Sequence, residues 1–150
     1  MTRFYDLDEA NAAIPEVRTI LEALRDQRAE LIRLRDEVVE RTGPGEGGAD
    51  VTQAREEGST TTDASTATDA DLRVLRLRMQ GVIDRMQAGV VRIDELGITL
   101  REIETGLIDF PALASGRQIW LCWRLGEDDV AWWHELSDGF GGRRPLIELA

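Results

Sequence analysis

Two long segments of this sequence carry the same apolar repeat, and a segment with almost nothing to bury separates them. Residues 7–42 and 69–97 both place apolar side chains at alternating spacings of three and four, which is typical of helices that pack side by side. Each apolar stripe needs a cover, so the pattern predicts an antiparallel two-helix hairpin that resembles a coiled coil. The predicted seam consists of Leu7, Ala10, Ile14, Val17, Leu21, Leu24, Leu31 and Val38, then Leu72, Leu75, Met79, Val82, Met86, Ile93 and Leu96.

The first helix has recognisable start and stop signals. Asp6 precedes it as an N-cap, and Glu9 completes the pattern of a capping box. Glycine and proline at 43–44 end it, because proline cannot continue a helix. Pro15 lies inside the repeat and removes one backbone hydrogen bond. We therefore expect a kink near Asn11, or a helix that restarts there.

Residues 43–68 join the two helices and are mainly glycine, threonine and acidic residues. Such a segment buries too little apolar surface to offset the entropy of ordering it, so the sequence predicts a flexible linker. Asp69 or Asp71 then begins the second helix, since carboxylates stabilise a helix N-terminus. We expect this helix to span 69–97.

After the second helix the apolar pattern changes from helical to strand-like. Short β-rich stretches (ITLREI, GLIDF, RQIWLCWRL and VAWWHE) alternate with turn residues. The sequence predicts a small antiparallel β-module over 98–150, with a glycine-rich loop at its C-terminal end. The fold class is therefore α+β, a long helical hairpin followed by a small sheet, and we expect a single domain over 1–150.

The predicted helices are long for a chain of this size. At 1.5 Å per residue each would extend for about 40–50 Å, more than a compact domain of this length can cover. We therefore expect a homodimer formed through the helical hairpin.

The composition excludes several classes of function. The formal net charge is −11, which argues against nucleic-acid binding because that affinity depends on neutralising phosphates. The chain contains no lysine, so neither a Schiff-base lysine nor a P-loop lysine is possible. No apolar run is long enough to span a bilayer, and the N-terminal residues lack a hydrophobic signal region. We expect a cytoplasmic protein that does not bind membranes.

Residues 120–134, WLCWRLGEDDVAWWH, contain all four tryptophans, the single cysteine and the single histidine of the chain. If the turn has two or four residues, one strand face carries alternate residues that include Trp123, Trp132 and His134, and the other face carries Cys122 and Trp133. A three-residue loop would reverse this assignment. We expect the tryptophans to form the core or the floor of a pocket, and the buried cysteine to be inert.

The acidic residues around the histidine suggest a metal site. Glu135 and Asp138 follow His134 closely, and Asp109 or Glu127 could approach from a neighbouring turn. These residues could bind a divalent metal ion or provide general acid–base catalysis. No fixed-spacing motif such as HExxH is present, so a hydrogen-bonded structural histidine is the alternative.

Arginines beside the tryptophans suggest an anion site. Arg124 and Glu135 fall on one predicted face and could form a structural ion pair, or Arg124 could bind a carboxylate or phosphate. The glycine-rich loop that precedes Arg143 could bind the same anion through its backbone amides. Trp123 and Trp133 would then supply the apolar walls of the site.

Four stretches of this chain resemble a prokaryotic family of uncharacterised proteins, domain-of-unknown-function family 2203. They are LDEANAAIPEVR, GLIDFPAL, LCWRLGE and WWHELSDGFGGRRPL, so the resemblance covers both ends of the chain. It implies no reaction, but its polar positions Asp109, Glu127, His134 and Arg143 look like a site. Arg144 stands where the family more often has glutamine. The remaining matched positions look like the scaffold: Phe110, Pro111, Cys122, Trp123, Gly126, Trp133, Gly139, Phe140 and Gly142.

Three interpretations of the function remain open. The leading one is a dimeric helical-hairpin protein without catalytic activity that binds an unknown protein partner or serves a structural role. The second is a protein that binds a divalent metal or a small anionic ligand near His134. The third is a hydrolase or lyase in which His134 acts as a base and Arg124 or Arg143 binds an anionic substrate.

Overall fold

Two long helices come first in this protein, and an antiparallel sheet follows them. The computed structural model describes residues 2–43 and 61–149. Within this part of the chain the sheet has five strands, each paired with the next along the chain, and the α+β fold class is confirmed. The elements are α1 (Leu7–Thr42), α2 (Thr61–Glu95), β1 (Thr99–Glu102), β2 (Leu107–Ala114), β3 (Arg117–Arg124), β4 (Trp132–His134) and β5 (Arg144–Pro145).

Helix α1 begins where the capping pattern predicts. The backbone N–H of Glu9 donates a hydrogen bond of 2.7 Å to Oδ1 of Asp6, which satisfies one of the free donors of the first turn. The helix continues through Pro15 without a restart, and the hydroxyl of Thr19 donates to the carbonyl of Pro15. Burial of flanking residues such as Ile14 in the core accounts for this continuity.

Helix α2 begins at Thr61 rather than at residue 69, so the predicted helix start and the predicted linker end at residue 68 are wrong. Propagation of a formed helix adds one hydrogen bond for each residue fixed, which favours extension through residues of modest propensity. Residues 44–60 of the predicted linker lie outside the described residues. Helix α2 ends at Glu95, before Gly97 with φ +74°.

Backbone contacts divide the chain into two compact units, residues 1–28 with 85–150, and residues 29–84. The first unit contains the sheet and its core. In the second, Leu34, Leu75 and Val82 are buried, and Arg41 pairs with Asp71 at 3.2 Å. A single domain over the whole chain stays a prediction. The core of the first unit includes Ala10, Ile14, Val17, Leu21, Leu24, Ile93, Ile98, Ile108, Phe110, Ile119, Leu121, Trp123 and Trp133.

The pairing of β3 with β4 differs from the prediction. Leu121 pairs with Trp133 and Trp120 pairs with His134, whereas the predicted faces put Leu121 together with His134. The connection therefore has the odd register that reverses the faces. The connection spans residues 125–131 and begins with a tight turn, in which the N–H of Glu127 donates to the carbonyl of Arg124. One face of the sheet carries the core, and the opposite face carries the polar residues.

No helix among the described residues combines the length and the apolar character that crossing a membrane requires.

Candidate functional site

Three buried side chains from neighbouring strands meet on the sheet face opposite the core. Asp109 of β2 lies directly across from Cys122 of β3, and His134 of β4 lies diagonally beside Cys122. Their exposed fractions are 2%, 1% and 2%. One ligand atom from each residue, Oδ, Sγ and a ring nitrogen, lies within 4.8 Å of the other two. The structure thus brings together two residues that the sequence singled out and one that it did not.

The two ring nitrogens of His134 have different partners. Nδ1 lies 2.9 Å from the carbonyl oxygen of Glu135, and because a carbonyl only accepts, Nδ1 carries a hydrogen and donates it. Nε2 lies 3.0 Å from Oδ1 of Asp109. A neutral imidazole and an ionised carboxylate would both be acceptors at this contact. A proton or a metal ion must therefore lie between Nε2 and the carboxylate.

The carboxylate of Asp109 is also held on its other oxygen. Nε of Arg101 donates to Oδ2 at 2.8 Å, and the guanidinium of Arg101 stacks on Trp120 with its carbon 4.9 Å from the ring centroid. Arg101 lies at the irregular step of β1, between Leu100 and Glu102, where the register to β2 shifts. Strand β1 therefore positions a cation beside Asp109, a contact that the sequence pattern did not indicate.

The thiol of Cys122 is not a simple core residue. Burial, and after it the neighbouring Asp109 carboxylate, raise the pKa of this thiol to about 12, although a hydrogen bond from Arg143 lowers it. The raised pKa agrees with the expected inert thiol in the absence of metal, but the sequence pattern did not indicate these neighbours. The alternation of side chains along the strands could have indicated this position, since the observed register puts Cys122 on the same face as His134. Without a bound cation the thiol stays protonated at neutral pH.

Arg143 encloses the cysteine side of the cluster. Its guanidinium forms two hydrogen bonds with Glu127, at 3.1 and 2.9 Å, and its carbon lies 4.5 Å from the ring centroid of Trp132 and 4.3 Å from that of Phe140. The carboxylate of Glu127 is therefore engaged by Arg143 and does not join the cluster. The glycine-rich segment contributes Arg143 as a cover for the site.

The remaining predicted site residues lie elsewhere. Glu135 pairs with Arg117 at 2.7 Å, so the predicted pair of Arg124 with Glu135 is wrong, because the register places these two residues on opposite faces. The guanidinium of Arg124 instead stacks on Phe140 at 5.1 Å.

The other three candidates also lie apart from the cluster. The side chain of Asp138 lies against Gly142. Trp123 is fully buried in the core, where its indole N–H donates to the carbonyl of Asp128. Trp133 is on the core face too. Neither tryptophan forms a wall of the cluster.

The three clustered atoms suit a transition-metal ion. Bonds of about 2.0–2.3 Å place the ligand atoms of a tetrahedral zinc ion roughly 3.3–3.8 Å apart, and the observed separations are at most 4.8 Å. Side-chain rotations shifting each atom by about 1 Å would complete such a geometry. Imidazole and thiolate ligands favour zinc and similar metals over magnesium or calcium, which prefer oxygen.

No curated protein and no solved structure matches this chain. A family model described as "Uncharacterized conserved protein (DUF2203)" matches residues 3–146, which include both helices and the strands that carry the cluster. This protein is therefore a member of the DUF2203 family of uncharacterised conserved proteins.

Proposed function

We propose that this protein binds one divalent transition-metal ion, with zinc as the best fit, through Asp109, Cys122 and His134. The observation that carries the proposal is the convergence of a carboxylate oxygen, a thiol and an imidazole nitrogen within 4.8 Å. These are the three ligand types that zinc uses in proteins. The three residues come from adjacent strands, so the sheet itself sets their separation.

The hydrogen bonds around the cluster support this assignment. A histidine that binds a metal through one nitrogen generally donates its other N–H to a carbonyl or carboxylate, and Nδ1 of His134 has the carbonyl of Glu135 as this partner. Arg101 orients the carboxylate of Asp109 through its second oxygen. Asp109 and His134 are thus held in orientation by partners outside the cluster, as pre-organised metal sites require.

The charges of the site also favour a dication. The Asp109 carboxylate and a Cys122 thiolate together carry two negative charges, which a divalent ion neutralises. Metal coordination deprotonates a thiol, so bound zinc removes the cost of ionising a cysteine in this buried position. Three protein ligands leave the fourth tetrahedral position to water, the ligand number of catalytic rather than structural zinc sites.

Metal analysis tests the proposal directly. Untagged protein purified without chelators should contain zinc at near one ion per chain, and His134→Ala and Cys122→Ser should each lose it while keeping the circular dichroism of the folded protein. Asp138→Asn is the matched control, because Asp138 follows the histidine closely but lies outside the cluster. Zinc-free wild-type protein that also fails to take up added zinc would refute the proposal, as would full occupancy in both ligand variants.

Homodimerisation is a second candidate, supported by apolar side chains that the 29–84 unit leaves exposed. Val39, Val74 and Leu77 are 50%, 47% and 71% exposed, and a second copy of the same unit would cover them. Light scattering on a size-exclusion column should give a concentration-dependent dimer that Leu77→Gln weakens. A monomer at high concentration would exclude this candidate.

A further inference from the structure

A cavity of about 350 Å³ lies at the end of the sheet that carries the β2–β3 turn, among walls that the metal proposal does not use. Its volume falls in the range of pockets for small molecules. The cavity is lined by Leu113, Ala114, Ser115, Arg117, Trp133, Glu148 and Leu149. This set combines an apolar surface, one cation, one anion and one indole.

The indole of Trp133 supplies a hydrogen-bond donor without a partner. Trp133 is 3% exposed, and its Nε1 atom is buried with no acceptor among the described residues. A buried donor of this kind costs stability unless an acceptor reaches it. The guanidinium of Arg117 lies 6.0 Å from the same ring and that of Arg144 lies 5.6 Å from it. The surroundings of this indole are therefore cationic and favour an anionic ligand group such as a carboxylate.

The opposite charge in the wall is Glu148. Among the described residues its carboxylate takes part in no hydrogen bond or ion pair, whereas Arg117 uses one nitrogen for Glu135 and keeps further donors. A ligand with a carboxylate alone would be repelled by Glu148, and a ligand with an ammonium alone would be repelled by Arg117. A zwitterion matches both walls.

The rest of the wall is apolar. Leu113 lines the cavity and is 57% exposed, and Leu149 lines it as well. Apolar side chains in a cavity wall can pack against the apolar part of a ligand.

We propose that this cavity binds a free amino acid with an apolar side chain. The ligand carboxylate accepts from Arg117, its ammonium pairs with Glu148, and its side chain packs on Leu113 and Leu149.

The indole N–H signal of Trp133 in a ¹H–¹⁵N spectrum reports this binding, with Trp133→Phe identifying the signal among the four indoles. L-leucine is the probe, and its two matched analogues are 4-methylpentanoate, which lacks the ammonium, and 3-methylbutylamine, which lacks the carboxylate. We expect leucine to shift the signal saturably and to bind at least about tenfold more tightly than either analogue, because each loses a charged hydrogen bond.

Variants separate the two charged contacts. Arg117→Gln and Glu148→Gln should each weaken leucine binding on the order of tenfold, and Arg25→Gln, which removes an exposed arginine on α1, should leave it unchanged. Glu148 is exposed, so its variant keeps the test valid even if Arg117→Gln impairs folding. The absence of a saturable shift at millimolar leucine would overturn the proposal. Analogues that bind as tightly as leucine, or an equal loss in Arg25→Gln, would overturn it as well.

Discussion

Nε2 of His134 lies 3.0 Å from Oδ1 of Asp109, and the two residues are each 2% exposed. Burial of this kind makes each group depend on the other, because an uncompensated charge in the protein interior is expensive. Arg101 also depends on Asp109, since its guanidinium binds the second oxygen of the same carboxylate. The pair is therefore both a candidate metal site and a determinant of stability.

Replacing Asp109 with alanine should destabilise the metal-free protein by about 3–5 kcal/mol, because the change leaves His134 and Arg101 without their shared partner. Urea unfolding in the presence of a chelator measures this loss. Glu104→Ala is the control, since it removes an exposed carboxylate that contacts Arg28 only at 3.9 Å, and should change stability by no more than about 0.5 kcal/mol. Equal losses in the two variants would contradict the predicted role of the buried pair.

Zinc should stabilise the folded protein by mass action. At a free concentration of one hundred times its dissociation constant, an ion that binds only the folded state adds about 2.7 kcal/mol to the free energy of unfolding. Thermal or urea unfolding with and without zinc measures this difference. Cys122→Ser should reduce the gain sharply, whereas Asp138→Asn should retain it. A gain of the same size in both variants would place the bound zinc elsewhere in the chain.

The metal-free protein should lose stability as the pH rises from about 9 to about 12, because the pKa of the Cys122 thiol is about 12 in the folded state and its ordinary value is 9.0. In this window the unfolded chain has lost the thiol proton and the folded protein keeps it, so alkaline pH favours unfolding. The slope from this one group approaches about 1.4 kcal/mol per pH unit. Guanidinium unfolding at several pH values, with chelator and reductant present, measures it.

Cys122→Ala separates this thiol from other alkaline titrations. Burial also raises the pKa of Tyr5. Part of the loss of stability at pH values above the ordinary pKa of tyrosine therefore persists in the variant. As the pH rises through this alkaline range, the free energy of unfolding of the wild type should fall more than that of Cys122→Ala. Parallel curves for the two proteins would show that the thiol does not contribute.

The helical part of this fold follows from local sequence signals. Asp6 caps the first helix as its pattern predicts, and the seam residues Val17, Leu21 and Leu24 are fully buried. Such features depend on residues within a few turns of each other. Leu7 is the exception in the seam, since it is 41% exposed at the first helical position.

The site depended on information that the local sequence does not contain. Asp109 and His134 were both predicted as site residues, but their direct contact results from strand register across three strands. A single odd-length turn reversed the predicted faces and moved Cys122 to the side of His134. Arg101 reaches the site from β1, where Thr99, two residues earlier, pairs with Asp109. Turn length and strand pairing thus decided which residues meet.

Gly106 shows how tightly that register is specified, and it supports a last prediction. Its φ is +67°, its carbonyl accepts from the N–H of Leu125, and a Cβ built on it would lie 2.5 Å from Cβ of Leu125. Gly116 has a similar φ of +79° but nothing within 4 Å of a built Cβ.

Gly116→Ala should therefore cost about 1–2 kcal/mol from backbone conformation alone. Gly106→Ala should cost about 1–3 kcal/mol more, because the overlap forces the β2 and β3 ends apart. Urea unfolding of both variants measures the difference, and equal losses would mean that Leu125 yields without disturbing the strands that hold Asp109 and Cys122.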